Sequence, residues 1–176
     1  MKRRVLDAKQ VGELVERLSD DIARRNRKAR KLALVGVKRR GVPLAERIAS
    51  RLRKKGWEDL PVGAVDITLY RDDLKLVAET PIVRGSELGF DINGRTLVLV
   101  DDVVFTGRTV RAALSVLLDF GRPNGIQLAV LVDRGNRELP IAPDFAGETM
   151  ETGPKDLVDI CLEEEDGEDA VYLTRK

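Results

Sequence analysis

Short apolar runs that alternate with amphipathic stretches limit the folds that this chain of 176 residues can adopt. The runs LALVGV (32–37), VGAVDITLY (62–70), TLVLV (96–100) and IQLAVLV (126–132) have the length and the branched side chains of buried strands. Helical patterns lie between several of these runs. Because strands that alternate with helices typically pair in parallel, the sequence predicts an α/β fold with a mostly parallel sheet and helices on both faces.

Three segments have the apolar periodicity of helices. Residues 7–29 carry an apolar stripe, and Asp7 is a candidate N-cap because Gln10 follows three residues later. Pro43 suits the first turn of a second helix, since its missing N–H would be unpaired there in any case. A third helix is predicted near 107–119, where a Gly and a Pro soon follow the last apolar position.

The rest of the chain has the composition of one globular domain. Asp166 and Gly167 separate two alternating runs in the tail, which predicts an antiparallel hairpin, and no linker or repeat divides residues 1–176.

No apolar signal region opens the chain and no apolar run approaches ~18 residues, so we expect a soluble, cytoplasmic protein without a membrane partner. One cysteine, Cys161, and no histidine exclude an intramolecular disulfide and a thiolate–imidazole pair, and argue against a zinc site.

The charge is distributed unevenly along the chain. Residues 1–55 hold 19 Lys and Arg against 6 Asp and Glu, whereas residues 56–176 hold 12 against 24. A basic segment of this kind favours a partner that carries phosphate groups. The alternative is a solvated basic helix face without a binding role.

Three loops that follow predicted strands carry the residues best suited to chemistry. They are GVKRRG (36–41), DDVVFTGRT (101–109) and DRGNRELP (133–140). In an open parallel sheet, ligands bind beyond the carboxyl ends of the strands. We therefore expect these loops to converge on one edge of the sheet.

The central loop combines two adjacent carboxylates with a Thr-Gly turn that opens a helix. Asp101 and Asp102 repel each other by roughly 1 kcal/mol even in water, but they suit the vicinal hydroxyls of a ribose or a magnesium ion. Gly107 permits a close backbone approach at a helix N-terminus, which favours a phosphate, and Thr106 and Thr109 add hydroxyl donors. The combination predicts a sugar phosphate ligand. The alternative is a capped helix whose neighbouring aspartates pair with arginines.

The run VLVDDVVFTGRT (98–109) resembles the phosphoribosyl pyrophosphate (PRPP) motif of type I phosphoribosyltransferases. GVKRRGVPLAERIA, DITLYRDDL, DFGRP and IQLAVLVDRGNRELPI further resemble the pyrimidine operon regulators that are also uracil phosphoribosyltransferases. This resemblance covers about residues 30–145. It implies the type I phosphoribosyltransferase fold, with a flexible arm near 70–90 and a small C-terminal hood near 134–156.

The resemblance also implies roles for individual residues. The acidic pair, Asp101 and Asp102, holds the ribose hydroxyls and the Mg²⁺ that accompanies PRPP. Arg71 at the start of the arm and Arg84 on its return act at the pyrophosphate, and Arg134 lies beside the uracil. The pyrophosphate loop and the ribose 5-phosphate segment supply the remaining substrate contacts, from Lys38, Arg39, Arg40 and Gly41, and from Val103, Phe105, Thr106, Gly107, Arg108 and Thr109.

By the same resemblance, the chain converts uracil and PRPP to UMP and pyrophosphate, and it binds leader RNA in response to UMP or UTP. Such catalysis needs no nucleophilic side chain, because positioning and stabilisation of the departing pyrophosphate supply most of the rate. The candidate RNA contacts are Arg24 and Arg27 in the basic first helix, and Asn136 and Arg137 in the hood. The resemblance implies a homodimer or a homotetramer.

The chain departs from the pattern of these regulators at three positions. Asn136 stands where they usually carry a histidine, Ala142 where an arginine is common, and Glu148 where a lysine is expected. Fewer cations should weaken contact with RNA. Two alternatives therefore stay open. One is a nucleotide-sensing RNA-binding regulator with weak or no catalysis, and the other is a phosphoribosyltransferase for purines, although DRGNRELP resembles the regulators more than the purine enzymes.

Overall fold

The computed structural model describes residues 2–29, 31–68 and 85–176, which form eight strands and four helices. The strands are β1 (Lys2–Leu6), β2 (Leu32–Val37), β3 (Val62–Val65), β4 (Thr96–Val104), β5 (Gly125–Asp133), β6 (Phe145–Thr149), β7 (Leu157–Cys161) and β8 (Ala170–Thr174). The helices are α1 (Ala8–Arg25), α2 (Gly41–Arg53), α3 (Arg108–Phe120) and α4 (Glu163–Asp166).

A five-stranded sheet in the order β3, β2, β4, β5, β6 forms the centre of the fold, and its strand pairs are all parallel. Successive side chains of a strand point to opposite faces. Leu34 and Val98 therefore pack with α1 and α2 on one face, while Val35 and Leu99 pack with α3 on the other. The predicted parallel sheet with helices on both faces is confirmed.

The helix termini follow the local sequence. The Asp7 carboxylate accepts a hydrogen bond from the N–H of Gln10 at 2.9 Å, and the Gln10 side chain accepts one from the N–H of Asp7 at 3.0 Å, so the predicted capping box is present. Helix α1 ends at Arg25, earlier than the predicted 29, and the Asn26 side chain caps this end by donating to the Ile22 carbonyl. Helix α3 lies within one residue of its predicted bounds.

Strand β4 is longer than predicted. We expected a strand over 96–100 followed by a loop with the acidic pair, but β4 runs to Val104. Pairing with β2 stops at Val100, whereas pairing with β5 continues to Val104 opposite Asp133. Asp101 and Asp102 therefore belong to the part of β4 that extends beyond its pairing with β2.

The two ends of the described chain form a second, antiparallel sheet in the order β1, β8, β7. The predicted hairpin is confirmed, although one turn of helix, α4, lies in its connection and ends at Gly167 with φ of 76°. Strands β1 and β6 were not predicted. Strand β6 falls within the segment 134–156 that we expected to form the hood, and it joins the edge of the main sheet. None of the helices in the described ranges is long and apolar enough to cross a membrane.

Ion pairs between distant segments account for part of the uneven charge. They join basic residues of the N-terminal third to acidic residues near the C-terminus. Their N–O distances lie between 2.5 and 3.5 Å, and the pairs are Lys2–Asp159, Arg25–Asp144, Arg39–Glu165, Arg40–Asp166, Arg47–Glu164 and Arg47–Asp169. These pairs neutralise part of the basic charge of residues 1–55 by contacts within the chain.

The start of α2 lies directly against the backbone of β4. A Cβ atom added to Gly41 would lie 2.4 Å from the Val100 carbonyl oxygen, and one added to Gly36 would lie 2.5 Å from the Gly41 carbonyl oxygen. Real Cβ contacts are not this short. Two glycines therefore allow the loop after β2 to lie beside Asp101.

We expect Gly41→Ala to lower the free energy of unfolding by roughly 1–3 kcal/mol, because the added methyl group would push α2 away from β4. Gly12→Ala is the matched control, since Gly12 lies in α1 with no atom near its Cβ position, and alanine there should stabilise the helix by up to about 1 kcal/mol. Urea denaturation of both variants measures the difference. Equal stability of Gly41→Ala and the unsubstituted chain would contradict the close approach of α2 to β4.

Candidate active site

The three predicted site loops converge at the carboxyl ends of the central strands. Strand β3 pairs with one edge of β2 and β4 pairs with the other, so the strand order reverses between β2 and β4. A crevice forms at such a reversal, beyond the carboxyl ends of the strands. Gly41 lies against Val100 at this edge. The Arg134 N–H donates to the Val104 carbonyl at 3.1 Å and the Glu138 N–H to the Thr106 carbonyl at 3.0 Å. Segments from β2, β4 and β5 thus form one site.

The acidic pair is held in a dry, backbone-bonded environment. The Asp101 carboxylate accepts the N–H of Asp102 at 2.9 Å, and the Asp102 carboxylate accepts the N–H of Val103 at 2.7 Å. Asp101 is only 6% exposed. Burial, reinforced by the neighbouring Asp102 charge, raises the pKa of Asp101 well above its usual range. Burial also raises the pKa of Asp102, although the Val103 N–H and the Arg40 guanidinium oppose this.

The two carboxylates can accept further hydrogen bonds from a ligand. The desolvated carboxylates can accept hydroxyl donors or hold a cation, and either would lower the energy of their ionised forms. No group of three or more His, Cys, Asp or Glu side chains in the described ranges could hold a metal ion. Mg²⁺ is commonly bound by one or two carboxylates together with substrate oxygens and water. The donor set of Asp101 and Asp102 therefore fits a magnesium ion that arrives with a phosphorylated substrate.

The segment after β4 forms a candidate phosphate site. Gly107 has φ of 92° and caps α3, a helix of 13 residues whose first N–H groups lack intrahelical partners. The Arg108 N–H donates to the Thr106 hydroxyl at 3.3 Å. Arg108 and Thr109 are exposed on the first turn of the helix, and the Arg108 Nε lies 2.7 Å from the Glu138 carboxylate. The backbone donors and the helix dipole favour an anion at this position.

The loop after β2 carries the predicted pyrophosphate-binding cations, and all three side chains have partners. The Lys38 ammonium donates to the Gly85 carbonyl and lies 3.6 Å from the Glu87 carboxylate. The loop arginines, Arg39 and Arg40, contact the α4 carboxylates of Glu165 and Asp166. Lys38 therefore connects this loop to the return of the predicted arm. Residues 70–84 of that arm, with Arg71 and Arg84, lie outside the described residues.

Arg134 is buried beside the site. Its guanidinium lies 3.9 Å from the centroid of the Phe105 ring, and it donates to the Gly153 carbonyl at 3.0 Å and the Thr152 hydroxyl at 3.2 Å. Burial lowers the pKa of Arg134. These contacts fix Phe105, which follows β4, against the segment that follows β5. Sequence reasoning did not predict that Arg134 stacks on Phe105, since a cation–π contact between residues 105 and 134 has no local sequence signature.

The four predicted RNA-binding residues lie in two different environments. Arg24 and Arg27 are exposed at the end of α1, where Arg24 pairs with Asp21 at 3.2 Å. In contrast, Asn136 and Arg137 form internal contacts. The Asn136 amide donates to the Thr152 carbonyl at 2.9 Å, and the Arg137 guanidinium donates to the Phe105 carbonyl and the Asp133 carboxylate. Their contact with RNA stays a prediction.

Comparison with known proteins identifies the family of the chain. Residues 2–164 match the family model of the phosphoribosyl transferase domain. A protein from Deinococcus deserti named Bifunctional protein PyrR is 51% identical over 172 residues, which cover 98% of this chain and 94% of that protein. The chain belongs to the PyrR family. A PyrR protein from Thermoanaerobacter sp. (strain X514) is 46% identical over 176 residues, which cover 100% of this chain and 99% of that one.

Solved structures agree with this assignment at the level of the fold. A hypoxanthine-guanine phosphoribosyltransferase from Bacillus anthracis has a TM-score of 0.71 at 12% identity and covers 100% of this chain and 99% of that one. The hypoxanthine phosphoribosyltransferase of Trypanosoma cruzi has a TM-score of 0.69 at 17% identity and covers 98% and 96%. The predicted type I phosphoribosyltransferase fold is confirmed.

The electrostatics of the acidic pair lead to a stability prediction. Because burial raises the pKa of Asp101 above its value in the unfolded chain, ionised Asp101 destabilises the folded state at neutral pH. We expect Asp101→Asn to raise the Tm at pH 7.5 by at least about 2 °C, a shift that about 1 kcal/mol produces in a domain of this size. The gain should shrink as the pH falls toward ~4, because folded Asp101 is then protonated and no longer carries a buried charge.

Differential scanning calorimetry at both pH values measures this effect. The control is Asp59→Asn, at an exposed carboxylate, which should change stability by no more than about 0.5 kcal/mol. A lower Tm for Asp101→Asn at both pH values would contradict the electrostatic explanation.

Proposed function

We propose that this PyrR family member condenses uracil with PRPP, in the presence of Mg²⁺, to give UMP and pyrophosphate, and that it regulates a pyrimidine operon by binding leader RNA in response to UMP or UTP. The observation that carries the enzymatic part is that buried Asp101 and half-buried Asp102 lie on the same strand–loop–helix unit as the candidate anion site that Gly107 opens. Diol acceptors next to phosphate donors match a ribose 5-phosphate.

Each part of PRPP has a group of residues that suits it. Asp101 and Asp102 accept hydrogen bonds from the two ribose hydroxyls and, with substrate oxygens, would hold Mg²⁺. The 5-phosphate binds at the N-terminus of α3, at Thr106, Gly107, Arg108 and Thr109, and Val103 and Phe105 line the approach from β4. The pyrophosphate binds at Lys38, Arg39, Arg40 and Gly41, with Arg71 and Arg84 as further cations from the arm.

In the reaction, a bond forms between a uracil ring nitrogen and C1 of the ribose as the bond from C1 to the pyrophosphate oxygen breaks, and the proton that the nitrogen loses passes to the departing pyrophosphate. The magnesium ion, when bound, neutralises part of the negative charge on the leaving group. The chain's own residues position the ribose and stabilise the developing charge through the cations of the loop after β2. The segment after β5, which Arg134 fixes against Phe105, would contact the base.

A second candidate function is nucleotide sensing with weak or no catalysis. The observation that favours it is that Arg39 and Arg40 are already paired with carboxylates of α4, so pyrophosphate would share these cations. A purine phosphoribosyltransferase is the third candidate, but its only support here is the likeness in fold to purine enzymes at 12% and 17% identity.

The acidic pair provides the test of the enzymatic proposal. We expect the double variant Asp101→Asn/Asp102→Asn to lower UMP formation from uracil and PRPP by at least about 10²-fold, because two hydrogen bonds to charged acceptors are weakened. Product chromatography with Mg²⁺ measures the rate, and Asp59→Asn serves as the control. Unchanged turnover in the double variant would contradict the site assignment.

The same assay separates the three candidate functions. Wild-type turnover with uracil, and none with hypoxanthine or guanine, supports the uracil enzyme. Turnover with a purine base supports the third candidate. No turnover with any base, together with measurable binding of UMP, would favour the sensor.

The RNA proposal is tested on the exposed end of α1. We expect Arg24→Gln/Arg27→Gln to reduce the slope of log affinity against log salt by roughly 1.4, because each single-strand phosphate that an arginine neutralises contributes about 0.7 to that slope. Fluorescence anisotropy with a labelled operon leader transcript and UMP measures the slope. Lys9→Gln, an equal change of charge per site at the other end of α1, is the control. An unchanged slope in the double variant would contradict this placement of the RNA.

A further inference from the structure

The acidic turn, defined here as Glu163–Asp166 of α4 together with Asp169, lies against the loop that precedes α2. Sequence reasoning assigned it no role. Its carboxylates contact three arginines that are more than a hundred positions away in the sequence, through the pairs Glu164–Arg47, Asp169–Arg47, Glu165–Arg39 and Asp166–Arg40. Two of these arginines, Arg39 and Arg40, belong to the loop proposed to bind pyrophosphate.

The contact between Asp166 and Arg40 joins two atoms of each side chain. The Arg40 Nε donates to Asp166 Oδ2 at 2.9 Å and Nη2 donates to Oδ1 at 2.7 Å, which makes a bidentate pair. Asp166 is itself fixed by its own turn, because its Oδ2 accepts the Leu162 N–H at 2.9 Å and its N–H donates to the Leu162 carbonyl at 2.7 Å. The Arg40 guanidinium is therefore held by an anchored carboxylate.

The backbone next to Arg40 lies against the strand that carries the acidic pair, since a Cβ atom added to Gly41 would lie 3.3 Å from the Cα atom of Asp101. The positive charge of Arg40 lowers the pKa of Asp102, and both Asp166 and Asp102 contribute to raising the pKa of Arg40. The residue that follows Arg40 is Gly41, which lies against Val100 of β4. The Arg40 side chain thus pairs with the acidic turn, and its backbone adjoins the strand that carries the carboxylates proposed to hold the ribose.

We propose that Asp166 is a positioning residue for the transferase reaction, which holds the Arg40 guanidinium beside Asp102 so that its remaining donors face the pyrophosphate of PRPP. This inference rests on the proposed function. A guanidinium has five N–H donors and Asp166 uses two of them, so three remain for a ligand. Holding the side chain in advance also reduces the rotamer freedom that it would lose when the substrate binds.

The turn has an attachment that does not depend on Asp166. Arg47 of α2 donates to Glu164 at 2.5 Å and to Asp169 at 2.7 Å, and its side chain is only 18% exposed. A change at Asp166 should therefore release Arg40 while Arg47 keeps the turn on α2. In Asp166→Asn the side-chain oxygen can still accept the Leu162 N–H, so the variant removes mainly the charge and the bidentate pair.

Binding of inorganic pyrophosphate with Mg²⁺, and separately of UMP, tests the inference by isothermal titration calorimetry. We expect Asp166→Asn to weaken pyrophosphate binding and to raise the KM for PRPP, each by roughly tenfold, while UMP affinity, the KM for uracil and the Tm stay near wild type. The control Glu163→Gln removes an equal charge from an exposed position of the same turn and should change each value by less than about twofold.

Three results would overturn the inference. Tighter pyrophosphate binding in Asp166→Asn would mean that the acidic turn competes with the ligand. An equal loss of pyrophosphate and UMP affinity with a lower Tm would mean that Asp166 only supports the fold. Wild-type values in Asp166→Asn would mean that Arg40 needs no positioning. If instead the wild type neither turns over uracil nor binds pyrophosphate, the proposed function fails, and this inference fails with it.

Discussion

The burial of two adjacent carboxylates at the end of the central strand is the constraint on which the rest of the site depends. Asp101 is buried in β4 and Asp102 is half-buried, and the two N–H groups from which they accept hydrogen bonds belong to the next residues of the same strand. Those bonds do not compensate for the desolvation, since the pKa of both groups is raised. A ligand that donates hydrogen bonds or carries positive charge would offset this cost, and the proposed site rests on that expectation.

The neighbouring elements are arranged to bring positive charge and backbone donors to this pair. The glycines of the loop after β2 let α2 begin against β4, which brings Arg40 close to Asp102. Gly107 turns the chain from β4 into α3, so that the helix dipole points at the same crevice. The acidic turn completes the arrangement from the far end of the sequence. Ion pairs between the basic N-terminal segment and the acidic turn thus join distant parts of the chain next to the site.

Much of the fold could be predicted from local patterns, but pairing between distant segments could not. The apolar runs predicted the central strands, and Asp7 with Gln10 predicted the start of α1. The length of β4 depends on β5 continuing beyond β2, and no feature of residues 101–104 alone indicates this. Strands β1 and β6 are short and only partly apolar, so they are defined by their partners. The run EEED was visible in the sequence, but its contact with Arg39 and Arg40 is a property of the folded chain.

The most direct test of the proposed site is a crystal structure of the chain with PRPP and Mg²⁺. We expect both ribose hydroxyl oxygens to lie within about 3 Å of carboxylate oxygens of Asp101 and Asp102, and the 5-phosphate to lie at the N–H groups that open α3. A well-ordered PRPP whose ribose contacts neither carboxylate would contradict the central claim, because the burial of the acidic pair would then have no ligand to explain it.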